Sequence, residues 1–365
     1  MTPWSPLTAP ATLLRDAAAS KERIAPSVFY ADGPAPGKTV LLFPGIGSAY
    51  DGMMGLATRL PGVAQWFRDM DALLAVMEPH AVASADEPNL LPQNGLPNFI
   101  VTMAMFGLME RARVHYDALA GHSNGENAAL VASGKMAFRS RDDLMLILSD
   151  VLHASVQNHA GEYVAGVTLA VSGVPVDRLE VLCAQSGGKM VVAMVNCPTQ
   201  VVMFVTDGYA VQARALVAGA GGLHVQLPLQ EPLHTPFFRP AMPRLSQIYD
   251  AIRFEPGLHP VYSCNTAQLF PAEPAAIRSL ALSQWINQVR FQAMLEQLYA
   301  DGFRTFVEVG PGSVLTGFVT DTLRGRGDFN ALATDNPTAA RSAPFLKPGP
   351  PLCARAGSGP GASVR

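Results

Sequence analysis

The hydrophobic pattern divides the first part of the chain into short apolar runs and longer segments of helical spacing. The run at 38–43 (KTVLLF) is apolar almost throughout, as in a strand that is buried on both faces. A second short apolar run covers 116–120. Helical spacing marks 62–77, 98–114 and 140–160. Strands that alternate with helices predict an α/β fold with a parallel sheet.

The middle of the chain has a different order of predicted strands and helices. Runs rich in β-branched residues predict strands at 164–171, 190–196, 200–205 and 223–229. Helical spacing predicts helices at 176–185 and 209–218. The resulting order, βαββαβ, is that of a ferredoxin-like unit. We interpret it as a small subdomain inserted into a larger α/β domain.

The larger domain resumes after the insert, with predicted strands at 259–264 and 305–309 and helices at 281–300 and 315–324. The last residues are rich in Pro, Gly and Ala without apolar periodicity, which predicts disorder. The predicted organisation is a lead at 1–37 with a short amphipathic stretch at 12–21, a large domain at 38–162 and 230–330, a subdomain at 163–229, and a disordered tail at 331–365.

Composition narrows the class of protein. The 365 residues are 49% hydrophobic and 15% charged, with a formal net charge of -3. The absence of a basic cluster argues against a nucleic-acid partner, and no apolar run reaches membrane-spanning length. The N-terminus does not resemble a signal peptide. The cysteines lack metal spacing and are expected to be free thiols of a cytoplasmic protein without a metal site; they are Cys183, Cys197, Cys264 and Cys353.

The residues 121–125 (GHSNG) match the nucleophile elbow, Gly-x-Ser-x-Gly. A serine becomes a useful nucleophile when a sharp strand-to-helix turn exposes its oxygen to a base. The flanks agree with this structure, since 116–120 is a predicted strand and 127–133 has the composition of a helix. The pattern therefore predicts that Ser123 is a catalytic nucleophile.

His234 is the best candidate for the base that accepts the serine proton. It lies in a loop directly after the last predicted strand of the insert, where the chain passes between domains, and clefts between domains commonly hold active sites. His122 belongs to the elbow, and its side chain is expected to point away from Ser123. The remaining histidines in helix or strand contexts fit packing or surface roles better; they are His80, His115, His224 and His259.

A serine nucleophile also needs an oxyanion hole, built from backbone N–H donors beside it. One predicted donor is the N–H of Asn124, directly after the serine. The second is the N–H of Ile46, because Gly45 and Gly47 on either side allow close approach of the backbone. A plain tight turn at 44–48 is the alternative interpretation of that loop.

Several segments, in order along the chain, resemble those of malonyl-CoA:acyl-carrier-protein transacylases and of the acyltransferase domains of polyketide and fatty-acid synthases. Residues 43–48 (FPGIGS) are similar to their FPGQGSQ loop, and 121–126 (GHSNGE) to GHSxGE. Further similar segments are 196–202 (NCPTQVV), 233–236 (LHTP), 261–263 (VYS), 285–291 (WINQVRF) and 306–315 (FVEVGPGSVL). The family fold, an α/β-hydrolase-like domain with a ferredoxin-like insert, agrees with the pattern analysis.

The resemblance implies a ping-pong acyltransferase. Ser123 would attack an acyl thioester with His234 as base, and the phosphopantetheine thiol of an acyl carrier protein would then take the acyl group. The histidine would be oriented by a backbone carbonyl near Arg290, so Glu231 is not needed as a triad carboxylate. No bound cofactor is implied. The substrate-binding positions that the resemblance suggests are Gly45, His122, Leu148, Asn196 and Leu233.

The chain departs from the family pattern in three places. Ile46 and Ala49 replace the glutamines of the FPGQGSQ loop, which removes polar support from it. Leu148 occupies the position where malonyl-type members carry an arginine for the substrate carboxylate, and Asp150 nearby is expected to repel an anion. The residues 231–234 (EPLH) match neither common extender-unit signature. These departures predict an acyl group other than malonyl or methylmalonyl.

Four functions remain open from the sequence. The first is transfer of a non-dicarboxylic acyl group to a carrier protein, and the second is malonyl transfer with an unusual carboxylate contact. The third is hydrolysis of acyl groups on stalled carrier proteins, and the fourth is a catalytically inert scaffold. All four imply an acidic carrier protein as partner, with Arg239, Arg244 and Arg290 as candidate contacts or as ordinary solvated side chains.

Overall fold

The computed structural model describes residues 23–25, 28–29, 37–50, 52–53, 90–156 and 162–335. The amphipathic stretch predicted at 12–21, the helix predicted at 62–77 and the tail beyond residue 335 lie outside these residues. The strands are β1 Arg23–Ala25, β2 Val28–Phe29, β3 Lys38–Phe43, β4 Ala118–Gly121, β5 Met136–Ala137, β6 Gly166–Ser172, β7 Met190–Cys197, β8 Gln200–Thr206, β9 Leu223–Leu227, β10 Arg253–Phe254, β11 Val261–Tyr262, β12 Val289–Arg290, β13 Phe303–Glu308 and β14 Asn330–Ala333.

The helices in the described part of the chain connect these strands. They are α1 Leu90–Arg111, α2 Asn124–Ala132, α3 Arg141–Val156, α4 Val176–Gln185, α5 Ala210–Gly219, α6 Met242–Asp250, α7 Pro274–Ser283, α8 Phe291–Ala300 and α9 Val314–Thr322. Short 3-10 segments cover Ile46–Ser48, Asp207–Tyr209 and Pro236–Ala241.

The larger sheet is parallel and has the strand order β11-β4-β3-β13-β14. The central strand β3 is enclosed on both faces, and its last four residues have no exposed surface. Helices α1, α2, α3 and α6 bury one face of the sheet, and α8 and α9 pack on the other. The continuous apolar run at 38–43 is therefore explained by burial on two sides.

The smaller sheet has the strand order β12-β7-β8-β6-β9. Strands β6 to β9 are antiparallel neighbours with α4 and α5 between them in sequence, which is the predicted βαββαβ unit. The α/β fold with a ferredoxin-like insert is thus confirmed. Strand β12 pairs in parallel with β7, although it comes from the later part of the chain, outside the predicted 163–229.

Two predictions about the last third of the chain are wrong. The helix predicted at 281–300 is two helices, α7 and α8, separated by a loop and by β12. Residues 281–300 contain neither Pro nor Gly, so no residue in this range marks a break in the helix. The tertiary pairing of β12 with β7 overrides the helical pattern. The tail predicted from 331 begins inside β14, which completes the larger sheet beside β13.

Other boundaries differ less. The helix predicted from 98 begins at Leu90, and Pro97 lies inside it. The strand predicted at 259–264 is only Val261–Tyr262. Within the described residues, no helix is long and apolar enough to cross a membrane.

Glu308, at the end of β13, supports the helix that follows it. Its carboxyl oxygens accept hydrogen bonds from the N–H of Leu315 at 3.1 Å and from the N–H and hydroxyl of Thr316 at 2.7 and 2.8 Å. These N–H groups belong to the first turn of α9, where intrahelical acceptors are lacking. The fully buried carboxyl therefore links the larger sheet to α9.

We predict that Glu308→Ala lowers the free energy of unfolding by at least about 2 kcal/mol, since it leaves buried donors unsatisfied. Glu308→Gln keeps one acceptor oxygen and should lose less than half of that amount. Urea unfolding monitored by circular dichroism measures both variants against the unaltered protein. Equal losses for Ala and Gln would contradict the capping role.

Candidate active site

The elbow is a strained turn that only glycine neighbours permit. Ser123 has a φ of 53°, a backbone conformation that side chains rarely adopt, between β4 and α2. A Cβ placed on Gly125 would lie 1.9 Å from the carbonyl oxygen of Phe43, and one on Gly121 would lie 2.2 Å from the backbone of Gly125. The glycines therefore allow α2 to begin directly against β3, with Ser123 at the carboxyl edge of the sheet.

Ser123 and His234 are brought together as predicted from the sequence. The serine Oγ lies 2.7 Å from Nε2 of His234. Nδ1 of His234 lies 2.8 Å from the carbonyl oxygen of Gln284, and the backbone N–H of His234 donates to the carbonyl of Trp285. A hydroxyl, an imidazole and an orienting acceptor form one chain, which is the arrangement needed to activate a serine.

The acceptor of Nδ1 is a correction to the sequence analysis, which expected a carbonyl near Arg290. Arg290 is exposed in β12, and its N–H donates to the carbonyl of Cys264 at 2.6 Å. The pairing of β12 with β7 holds Arg290 in the smaller sheet, whereas Gln284 lies in the loop after α7 that faces the elbow helix.

Burial sets the charge of the imidazole. His234 is 3% exposed, and desolvation lowers its pKa from 6.5 to about 4, while the hydrogen bond with Gln284 opposes the shift. The ring is therefore neutral at neutral pH. Because a carbonyl can only accept, Nδ1 carries the proton, and Nε2 is left as the acceptor that faces the serine hydroxyl.

The loop at 44–48 lies directly beside the elbow. A Cβ on Gly45 would be 2.8 Å from the carbonyl oxygen of His122 and 3.5 Å from Cβ of Ser123. Ile46 and Asn124 each begin a helical segment, where the backbone N–H has no intrahelical acceptor. The donors predicted for the oxyanion thus belong to two segments that flank Ser123.

Asn98 of α1 supplies polar support that the sequence analysis considered lost with the glutamines. Its Nδ2 donates to the carbonyl of Gly45 at 3.1 Å and to Oγ of Ser48 at 2.9 Å. Oγ of Ser48 donates in turn to the same carbonyl at 2.9 Å. Asn98 of α1 therefore stabilises the loop together with Ser48, and no local motif in the sequence predicts this role of Asn98.

His122 and Asn196, both predicted to contact substrate, bind each other. Nε2 of His122 lies 2.7 Å from Oδ1 of Asn196, whose Nδ2 donates to Gln200 at 2.7 Å. The imidazole packs edge-on against Phe291, and burial lowers its pKa. Asn196 sits at a register irregularity between β7 and β8. The hydrogen bond between His122 and Asn196 therefore connects the elbow to β7 of the smaller sheet.

A cavity of about 30 Å³ lies beside the elbow. Asn124 and Trp285, neighbours in sequence of Ser123 and of Gln284, form part of its wall. No basic side chain lines it among the residues that the structure describes. We name it the outer cavity; its apolar lining consists of Leu91, Leu96, Phe99, Leu148, Val151 and Leu152.

Two expectations about this region change. Leu148 is half-buried and lines the outer cavity, whereas Asp150 is exposed on α3 and does not line it. The repulsion expected from Asp150 is therefore not supported. Leu233 is 5% exposed and belongs to the apolar core beneath the site.

Three arginines on or next to the elements around the cavity have acidic partners. Arg139, which precedes α3, pairs with Asp143 of α3 at 2.6 Å. On α6, Arg244 pairs with Glu162 at 2.9 Å. Arg278 of α7 pairs with Asp250 at 2.6 Å. None of these guanidinium groups lines the cavity.

Asn127 is a second residue that sequence reasoning missed. Its Oδ1 accepts a hydrogen bond from Nε2 of Gln284 at 2.8 Å, one turn into α2. Gln284 is thereby held by its side chain on the elbow helix and by its carbonyl on His234. The segment at 285–291 was noted for its resemblance, but the contact of its preceding glutamine with α2 depends on the tertiary fold.

The described residues contain no group of three or more His, Cys, Asp or Glu side chains that could hold a metal ion. Cys183, Cys197 and Cys264 are unpaired thiols, and burial raises the pKa of each. The groups that the structure places beside Ser123 are the imidazole of His234 and the backbone of the two flanking segments that begin at Ile46 and Asn124.

The parallel α/β sheet, the ferredoxin-like insert and the serine–histidine pair at the sheet edge together characterise an α/β acyltransferase. The chain matches the family model described as "Acyl transferase domain" over residues 40–355. It belongs to that family, and it is an acyltransferase.

Proteins similar to this chain include several that are named as malonyl transacylases or malonyltransferases. The chain is 30% identical to the malonyl CoA-acyl carrier protein transacylase of Bacillus subtilis, over 77% of this chain and 89% of that protein. It shares its fold with an acyl carrier protein S-malonyltransferase of Vibrio cholerae (TM-score 0.69, 23% identity, 84% and 99% of the chains). A malonyl-transacylase solved with a type II polyketide synthase acyl-carrier protein is similar to the same degree (TM-score 0.71, 23% identity, 84% and 98%).

We predict that the rate at which Ser123 is acylated is independent of pH from about 8 down to about 5, because the pKa of His234 lies near 4. Single-turnover acylation, followed by intact-protein mass at each pH, measures this rate. The folded pKa is below the unfolded value, so the contribution of His234 to stability is present above about 6.5 and lost as pH falls towards 4.

Circular dichroism at each pH restricts the comparison to folded protein. An inflection near 6.5 in folded protein would contradict the prediction, since it would mean an imidazole with an unshifted pKa.

Proposed function

We propose that this protein transfers a monocarboxylic acyl group from a CoA or carrier-protein thioester to an acyl carrier protein, through an ester on Ser123. The observation that carries the proposal is the hydrogen-bonded chain of Ser123, His234 and Gln284 beside a cavity whose described lining contains no cation. The chain of hydrogen bonds supports covalent acyl transfer, and the lining supports an uncharged acyl group.

In the first half-reaction, Nε2 of His234 accepts the proton of the Ser123 hydroxyl as Oγ attacks the thioester carbonyl. The negative charge that develops on the carbonyl oxygen is stabilised by the N–H groups of Asn124 and Ile46. The intermediate collapses with cleavage of the C–S bond. The departing sulfur takes the proton from Nε2, which leaves an acyl ester on Ser123 and a neutral imidazole.

In the second half-reaction, the phosphopantetheine thiol of the carrier protein gives its proton to Nε2 and attacks the ester carbonyl. The same two amides hold the oxyanion. Cleavage of the C–Oγ bond returns the proton to Ser123 and leaves the acyl group on the carrier as a thioester. The carbonyl of Gln284 keeps Nδ1 protonated throughout, so each transfer uses the same nitrogen.

The lining of the outer cavity disfavours malonyl. The outer cavity has no cation in its described lining, whose polar side chains are Asn124, Asn127, Ser155 and Trp285. A second carboxylate on the substrate would therefore be buried without a charged partner, which costs several kcal/mol. Leu148 stands where the resembled malonyl-type members carry an arginine. The ion pairs of Arg139, Arg244 and Arg278 leave these side chains committed elsewhere.

The choice of a carrier protein as acceptor is supported by the names of the relatives, which include an acyl carrier protein transacylase and a complex with an acyl-carrier protein. Among the candidate contacts, Arg239 and Arg290 are exposed. Arg244 is bound to Glu162 and is therefore the weaker candidate.

We predict that acetyl-CoA and butanoyl-CoA add their acyl mass to the protein, that malonyl-CoA adds none, and that Ser123→Ala abolishes the adduct. Intact-protein mass spectrometry measures each case, and addition of a holo carrier protein should move the acyl mass to the carrier. A malonyl adduct on Ser123 would overturn the monocarboxylic assignment. Release of free acid without a lasting adduct would show a hydrolase instead.

We predict that Leu148→Arg reverses this preference. A charge-assisted contact to the malonyl carboxylate is worth about 1.5–3 kcal/mol, which corresponds to a gain of about ten- to hundred-fold in malonylation. Leu148→Met is the matched control, because it keeps an apolar side chain of similar volume. If both variants leave malonylation undetectable while acetylation persists, Leu148 does not face the acyl group.

A further inference from the structure

A second cavity, of about 20 Å³, also has Leu148 in its lining. We name it the inner cavity; its lining includes Val131, Met136, Phe138, Ile147, Tyr249 and Ile252. The outer and inner cavities share three lining residues, Asn127, Leu148 and Val151. Their side chains therefore form the partition between the two spaces.

We infer that the two cavities are one acyl channel in which Leu148 is the gate, and that the substrate is an unbranched monocarboxylic acyl chain whose tail passes Leu148 into the inner cavity. This inference rests on the proposed function, since it names the acyl group that Ser123 would carry. Each cavity alone has room for only one or two water molecules, so the chain is accommodated only when the partition opens.

Of the three partition residues, Leu148 is the one that can move at low cost. Val151 is β-branched, and its χ1 is restricted within α3. Asn127 is held by its hydrogen bond with Gln284. Leu148 is half-buried, has no polar atom and can change rotamer by rotation about two bonds. Its displacement joins the two spaces without breaking a hydrogen bond.

The inner cavity suits a hydrocarbon. Its described lining has no charged side chain, and its polar groups are engaged elsewhere, since the hydroxyl of Tyr249 accepts from Nε1 of Trp285 at 3.0 Å. Hydrocarbon that packs against these apolar side chains is removed from water, which favours its binding. Met136, 4% exposed, lies along it and has the flexible side chain that can adapt to a chain end.

The test is single-turnover acylation of Ser123 with acetyl-, butanoyl-, hexanoyl- and octanoyl-CoA. For the unaltered protein, each methylene beyond Leu148 should raise the second-order rate constant of Ser123 acylation by roughly four-fold, which corresponds to about 0.8 kcal/mol. Ile252→Phe fills the inner cavity and should lower octanoyl acylation at least ten-fold while acetyl acylation stays within two-fold. Ile147→Ala enlarges the cavity and should favour octanoyl further.

Leu146→Ala is the matched control, because this side chain is on the same helix and 58% exposed. It should leave the chain-length profile unchanged. Acylation of each variant by acetyl-CoA also shows whether that variant is folded. If one cavity variant reacts with no donor, the test uses the other cavity variant. The channel is contradicted if octanoyl is rejected by the unaltered protein, or if Ile252→Phe and Ile147→Ala both keep its profile. Absence of acylation with every donor would instead remove the proposed function itself.

Discussion

The contact between Gly125 and the carbonyl of Phe43 is the constraint on which the site depends. It lets α2 start against the central strand of the larger sheet, at a distance that any side chain would prevent. The sharp turn that results forces Ser123 to a positive φ and presents its hydroxyl at the sheet edge. Gly45 also lies in close contact with the elbow. The packing of these two glycine-containing turns therefore places Ile46, the second predicted oxyanion donor, near Ser123.

The rest of the site is governed by exclusion of water. Burial keeps His234 neutral, and a backbone carbonyl, which carries no charge, fixes its tautomer. A triad carboxylate would have to be desolvated beside the acyl group, and this site avoids that cost. The outer cavity continues the same environment, since its described lining has no charged side chain and Arg139 and Arg278 pair with carboxylates elsewhere. The uncharged acyl group that we propose would match the uncharged groups of this buried region.

Local patterns were sufficient for the features whose cause is local. The elbow glycines, the buried strand β3 and the βαββαβ order each follow from the residues within a segment, and Ser123 and His234 were found in this way. Features caused by distant partners were missed. The pattern predicts a helix through Gln284 because no residue nearby breaks a helix, whereas the pairing of β12 with β7 divides this segment. The pattern predicts a tail from 331 because β14 is defined by its pairing with β13 and not by its own residues. Asn98 and Asn127 act through contacts on other elements, which no periodicity reports.

Strand β12 gives the two sheets a mechanical connection. It is hydrogen-bonded to β7 of the smaller sheet, and the chain enters it only a few residues after Gln284, the acceptor of the base. His122 and Asn196 make a second tie between the elbow and that sheet. A tilt of the smaller sheet would therefore pull on the base from one side and on the nucleophile from the other. The distance between Ser123 and His234 therefore depends on how the insert is placed against the larger sheet.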